Sequence, residues 1–303
     1  MKKLMKAIAA IMLTVAVICA AGCKKDPKIY NVNVSSSPSV GGVVTGGGAY
    51  EEGLTCSVTA TANDGYLFVK WTENGGVVST DANYTFSVTG NRTLVAHFDR
   101  AYVDLGLPSG TLWATCNIGA NTPEDYGDYF AWGETETKDT YNWGTYQYCT
   151  GGNYEYPYYN MLTKYCNDAS YGFNGFADDL TVLLPEDDAA TANWGGDWRM
   201  PTREEWNELL ENTTNTWTTQ NEVYGRLFTA SNGASLFLPA AGYRWDDELD
   251  LAGSLGGFWS SSLYTGSPYD AWTLIFGSGN YLMDYISRDG GFSVRPVCSA
   301  RQN

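Results

Sequence analysis

Side chains able to do chemistry are few in this 303-residue chain, and one type dominates. There is a single histidine, His97, in the alternating run Leu94-Val95-Ala96-His97-Phe98, where a strand residue is expected. One histidine leaves no seat for a His–Cys pair or a multi-histidine metal site, and little room for a histidine base. Pro185-Glu186-Asp187-Asp188 has carboxylates enough for calcium, which takes about 6–8 oxygens. The same residues open a helical turn, and that structural use is preferred, so no metal and no cofactor are expected. Tyrosine is abundant, with 22 copies. The segment Ser261–Arg288 is dense in Tyr, Asp, Asn, Ser and Gly, the composition of adaptable binding surfaces. Tyr264, Tyr269, Tyr281 and Tyr285 offer flat amphipathic rings on which a sugar or peptide can stack. Asp270, Asn280, Asp284 and Arg288 are the polar partners that would orient it. The competing use of these tyrosines is to plug loops in a fold short of regular structure. Trp259, Trp272 and Phe276 are expected in the core, and Arg295 as a buried ion-pair partner in the closing strand.

The elements that must position these residues are mostly strands. One helix start stands out, in WGGDWRMPTREEWNELL from Trp194 to Leu210. Thr202 followed by Glu205 is a capping box, and Trp206, Leu209 and Leu210 form one apolar stripe. The helix should end near Asn212-Thr213-Thr214, poor helix formers. Strands are expected at Arg226–Thr229, Ala234–Leu238, Gly257–Ser262, Ala271–Phe276 and Tyr281–Ser287, with a last one in GGFSVRPVC. Turns fall at Asn232-Gly233 and Gly277-Ser-Gly-Asn. Residues 134–191 are long and aperiodic, which inside a compact domain implies a functional or internally stapled loop.

The N-terminus reads as an export signal. Residues 1–22 pair a basic start, MKKLMK, with an apolar run too short to span a bilayer comfortably. Ala20-Ala21-Gly22-Cys23 resembles a bacterial lipobox, with Ala20 where leucine is usual. That resemblance implies cleavage before Cys23 and lipidation of its sulfur and amine. Residues 23–29 would be a polar tether, and the lipid the only membrane contact. The protein is then expected on the bacterial cell envelope, at the outer membrane and facing outward. The remaining chain holds 15 basic against 34 acidic side chains, which argues against nucleic acid as a partner. In an exported protein, Cys149 and Cys166, at the two ends of one loop, are expected to form a disulfide. Cys116 and Cys298 would be a second pair if the end strands lie side by side, with Cys56 left as a thiol.

Residues 30–99 alternate apolar and polar residues between Gly, Asn-Asp-Gly and Asn-Gly-Gly turns. YNVNVSSSPSVGGVVTGGG, ANDGYLFVKWTENG and NRTLVAHF resemble the divergent internalin-type B-repeat family. That implies a small all-β spacer, with a thin core dominated by Phe68 and Trp71. Residues 101–299 carry VDLGLPSGTLWATCNIGA, GDYFAWGE, WRMPTREEWNELL with FLPAAGYR, and GFWSSSLYT through GGFSVRPVC. These resemble the Fibrobacter succinogenes major paralogous domain of Bacteroidetes lipoproteins. The resemblance implies an α+β C-type-lectin-like domain: antiparallel strands, one short helix, long loops, and the two ends paired near each other.

The function expected from this is non-catalytic recognition of a protein or glycan ligand, as in adhesion. Fold likeness alone does not decide it. The Glu-Pro-Asn, Gln-Pro-Asp and Trp-Asn-Asp signatures of calcium-dependent sugar binding are missing. A second reading is an enzyme related to formylglycine-generating proteins, which need two late cysteines where this chain has Cys298. A third is a structural subunit of a surface assembly. Replacing Cys23→Ser is expected to move the protein from the membrane to the soluble fraction. Unchanged partitioning and migration would remove the lipid anchor.

Overall fold

The computed structural model describes residues 26–150 and 160–299. The leader, Cys23 and most of the stretch between Cys149 and Cys166 lie outside the described residues. Among the described residues, no helix is long and apolar enough to cross a membrane.

Alternating sequence in the first part yields eight strands: β1 (Ile29–Ser37), β2 (Gly42–Thr45), β3 (Gly48–Glu51), β4 (Thr55–Ala62), β5 (Tyr66–Glu73), β6 (Gly76–Ser79), β7 (Asn83–Ser87) and β8 (Arg92–Arg100). They form two sheets, β3-β1-β8-β5-β6 and β2-β4-β7. Val32, Val58, Trp71, Leu94 and Phe98 share the core between them. Strict period-two alternation would put Phe68 and Trp71 on opposite faces. A bulge between Phe68 and Lys70 shifts the β5–β8 register by one, so both rings reach the same core, 6.0 Å apart. Trp71 is fully buried, whereas Phe68 is only half-buried. His97 sits in β8 with a ring nitrogen 2.8 Å from the Thr72 hydroxyl, a structural contact.

The second part is also mostly β. Its elements are β9 (Tyr102–Val103), β10 (Leu112–Ala114), β11 (Tyr129–Phe130), α1 (Ala189–Trp194), α2 (Arg203–Asn212), β12 (Thr213–Gln220), β13 (Val223–Ala230), β14 (Ser235–Pro239), β15 (Tyr243–Trp245), β16 (Glu248–Asp250), β17 (Gly256–Leu263), β18 (Asp270–Phe276), β19 (Tyr281–Ser287), β20 (Phe292–Ser293) and β21 (Val297–Cys298). The central sheet runs β11-β20-β17-β18-β19, leaving β19 at an edge. A second sheet, β12-β13-β14, follows α2 directly. β21 pairs with β10, which also pairs with β9, so the two ends of the domain meet.

All of β17 is buried, because both faces of the sheet are covered. Phe258 faces the core under α2, with Trp113, Trp206, Leu209 and Phe276. Trp259 faces the opposite core, with Trp132, Tyr146, Tyr165 and Phe292. The capping box of α2 is complete. Thr202 Oγ1 accepts from the Glu205 amide at 3.2 Å, and the Thr202 amide donates to Glu205 at 2.9 Å. Glu205 also takes both terminal nitrogens of Arg199 at 2.6 Å and the Thr111 hydroxyl at 3.0 Å. These donors hold its carboxyl below the usual range despite the opposing pull of burial.

α2 ends at Asn212 as expected, but the threonine run after it does more than end the helix. Its β-branched residues form β12, paired along its whole length with β13. The expected Cys149–Cys166 disulfide is not seen among the described residues. Cys149 lies opposite Leu162 in a backbone bridge, and Cys166 is a buried thiol donating to the Asp168 carbonyl at 3.2 Å. The end strands do lie side by side, but their register sets Cys298 opposite Leu112, while the Cys116 thiol donates to the Asn121 carbonyl.

Emptying the fully buried Trp206 site should cost far more than losing the cap. Trp206→Ala is expected to lower stability by about 3–5 kcal/mol and Thr202→Ala by about 1 kcal/mol. Urea denaturation followed by tryptophan fluorescence reads both. Equal losses would show that the helix is held by its cap instead of its packing.

Candidate ligand-binding face

The segment carrying most of the expected contacts folds as β18, a turn and the edge strand β19. Alternation splits its residues between two faces. Tyr281, Met283 and Tyr285 stand opposite Phe276, Leu274 and Trp272, on the α2 side of the sheet. Leu282, Asp284 and Ile286 point the other way, opposite Ile275, Thr273 and Ala271.

On the first face, Tyr264 and Tyr285 stack with centroids 3.9 Å apart and planes 4° from parallel. Trp272 stands nearly perpendicular to both, at 5.2 and 6.0 Å. The guanidinium of Arg203, the first residue of α2, lies 3.7 Å from the Trp272 ring centre. The Arg203 amide is fixed by Ser262 Oγ at 3.1 Å, but its Nε is buried without a partner. Tyr285 is 45% exposed. The adjacent Tyr264 phenol pushes the Tyr285 phenol above its ordinary pKa. The cluster thus presents aromatic surface, two hydroxyls and a cation, already arranged. Tyr281, 42% exposed, belongs to a separate spot beneath Arg226 (4.9 Å). Asn280 is exposed in the turn beside it.

Two expected contacts are core residues instead. Arg288 is fully buried. Its Nε donates to the Tyr146 hydroxyl at 2.9 Å, and its terminal nitrogens donate to the carbonyls of Tyr165 and Pro268 at 2.8 Å and Lys164 at 3.2 Å. It also lies 5.1 Å from the centre of the Trp132 ring. Tyr269 is buried against Trp143 and Tyr171. Asp270 is half-buried at the start of β18, and burial raises its pKa. Trp259 and Phe276 are core as expected, whereas Trp272 is half-buried.

The stapling of residues 134–191 comes from hydrogen bonds. Besides Arg288, Asp187 accepts from the Tyr148 and Tyr165 hydroxyls and from Lys164. Asp178 takes the amides of Tyr165 and Cys166. Asp188 caps α1 through the Ala190 and Thr191 amides and also holds the Met200 amide. The acidic turn is therefore used structurally. Arg295 is fully buried as expected, but its partners are the Asn117 side chain and the Ala114 and Thr115 carbonyls, with no carboxylate. Burial pushes its pKa down to about 10.

On the second face, Asp284 and Ile286 border a groove together with the β15–β16 hairpin. Tyr243, Trp245, Asp250 and Phe292 are its other main walls. None of these four, nor Arg203, stands out in the sequence as a site residue. The signal available was Tyr243-Arg244-Trp245 before Asp246-Asp247, an aromatic alternation leading into a turn.

Residues 32–102 match the family described as Divergent InlB B-repeat domain, so the N-terminal part carries that repeat. No curated protein and no solved structure matches the chain.

Asp289, just past Arg288, sets a pH dependence. It is buried, its Oδ2 has no partner, and Ser287 donates to Oδ1 at 2.5 Å. Burial pushes its pKa up to about 6. Between roughly pH 4 and 6 the folded state holds a proton that the unfolded state has released. Stability should therefore fall as pH rises through this window, by at most about 2–3 kcal/mol from this group. Asp289→Asn is expected to remove that fall from denaturation curves measured at pH 4, 5, 6 and 7. A wild-type-minus-variant difference that stays flat across the window would show that Asp289 keeps an ordinary pKa.

Proposed function

We propose that this chain is a lipid-anchored cell-envelope protein. In this reading its C-terminal domain, of C-type-lectin-like fold, recognises a protein or glycan ligand without catalysis. The B-repeat domain is the spacer that carries it away from the membrane. The fold reading is supported by the pairing of β10 with β21 and by the capped helix α2 lying over a mostly antiparallel sheet.

The observation that carries the reading is the Tyr264–Tyr285 stack with Trp272 and Arg203. A monomer gains little by stacking an exposed tyrosine at a sheet edge. A recognition surface gains a rigid aromatic anchor, and hot spots are enriched in tyrosine, tryptophan and arginine. The half-buried Arg203 guanidinium adds a cation laid over the Trp272 ring.

The test uses glycan and mucosal-protein arrays probed with the full-length protein in detergent. Tyr264→Ala with Tyr285→Ala is expected to weaken binding at least about tenfold. The melting temperature should move little, because Tyr285 is exposed. Unchanged affinity in a folded double variant would rule out this face.

A further inference from the structure

We propose that the groove between the β15–β16 hairpin and the second face of β19 is a distinct site, taking a free small-molecule quaternary ammonium ion. Its volume is roughly 420 Å³, within the usual range for small-molecule sites. It lies across the edge strand from the tyrosine stack, since Asp284 and Tyr285 are consecutive residues on opposite faces. The inference therefore does not depend on what the tyrosines bind.

The lining has a specific chemistry. Tyr243 and Phe292 stack 5.6 Å apart with planes 23° from parallel, and Trp245, 39% exposed, lies beside them. Leu255, Ile275 and Ile286 add aliphatic surface. Among the described residues, the charged lining consists of Asp250 and Asp284, one from the hairpin and one from β19. Among the described residues, neither carboxylate is in a salt bridge. Asp284 is held in place by its hydrogen bond from the Tyr285 amide at 2.9 Å. The nearby cations are engaged elsewhere. Arg244 lies 5.4 Å from the Tyr129 ring centre, and Arg203 and Arg226 serve the opposite face.

Aromatic rings and two unneutralised carboxylates in an otherwise apolar groove select one kind of guest. An anion would be repelled. A neutral sugar would find few donors, since carboxylates only accept. A primary ammonium could donate to the two carboxylates, but it brings no methyl groups to pack against the rings and aliphatic walls. A quaternary ammonium has no N–H to satisfy, packs methyl groups against the rings and spreads its charge over them, as cation–π contact requires. The chain's net charge of −16 raises the local concentration of cations generally.

The test is titration of the full-length protein in detergent with choline, followed by tryptophan fluorescence and calorimetry. The neutral isostere 3,3-dimethylbutan-1-ol, n-butylammonium and a lysine-containing peptide are titrated in parallel. Choline is expected to bind about tenfold or more tighter than its neutral isostere, and tighter than the primary amine or the peptide. Asp250→Asn and Asp284→Asn, each isosteric, should each lower choline affinity several-fold without shifting the melt, and Trp245→Phe should remove most of the fluorescence change. The Tyr264→Ala, Tyr285→Ala variant should bind choline as the wild type does. No choline binding by the folded wild type, or equal binding of choline and its isostere, would overturn the proposal. Preference for the lysine peptide would overturn it in favour of a protein partner.

Discussion

Much of the C-terminal domain depends on one buried cation. Among the described residues Arg288 has no carboxylate partner, and a charge removed from water is tolerated only when its donors are satisfied. Here they are satisfied by segments far apart in sequence: the Tyr146 hydroxyl, the backbone carbonyls of Lys164 and Tyr165, and the carbonyl of Pro268. A long loop with little regular structure is thereby pinned to the strand that ends at Ser287. Asp187 does the complementary work, collecting two tyrosine hydroxyls and a lysine within the same region. Fixed ionic groups thus stand where a β-ladder or a sulfur bridge would be used elsewhere.

That clamp also explains why β19 can serve as an edge with two usable faces. Its C-terminal end is anchored by Arg288 and its N-terminal end by Arg226, which donates to the carbonyls of Gly277 and Asn280. β17 behind it is covered on both sides, so the sheet itself does not depend on the edge strand's burial. The exposed residues of β19 are free to differ in character, aromatic on one side, acidic and aliphatic on the other.

Local signals in the sequence were legible where local physics decides. The capping box at Thr202 and the strand over Tyr281–Ser287 follow from short-range rules and are found where expected. Long-range outcomes were not legible. Nothing local distinguishes Arg288, deep in the core, from Arg203, laid over a tryptophan at the surface. Tyr269 and Tyr285 read alike in sequence, yet one closes an aromatic core and the other faces solvent. The Phe68–Trp71 pair needed a bulge that only the partner strand reveals. The groove residues escaped notice because the hairpin carrying Tyr243 and Trp245 gains its meaning from a strand about 40 residues later.

The first domain has a mechanical property that follows from its topology. β1 and β8, its first and last strands, are parallel neighbours, joined over six register pairs from Val32–Arg92 to Ser37–His97. The chain therefore enters at one end of these strands and leaves at the other. Tension applied across the domain pulls the two strands past each other lengthwise, so their hydrogen bonds must yield together and cannot unzip one at a time. Only Ala101 separates β8 from β9, and Asp99 and Arg100 reach across to Trp198 and Trp194. A pull on the first domain therefore reaches the next part of the chain through a single linking residue.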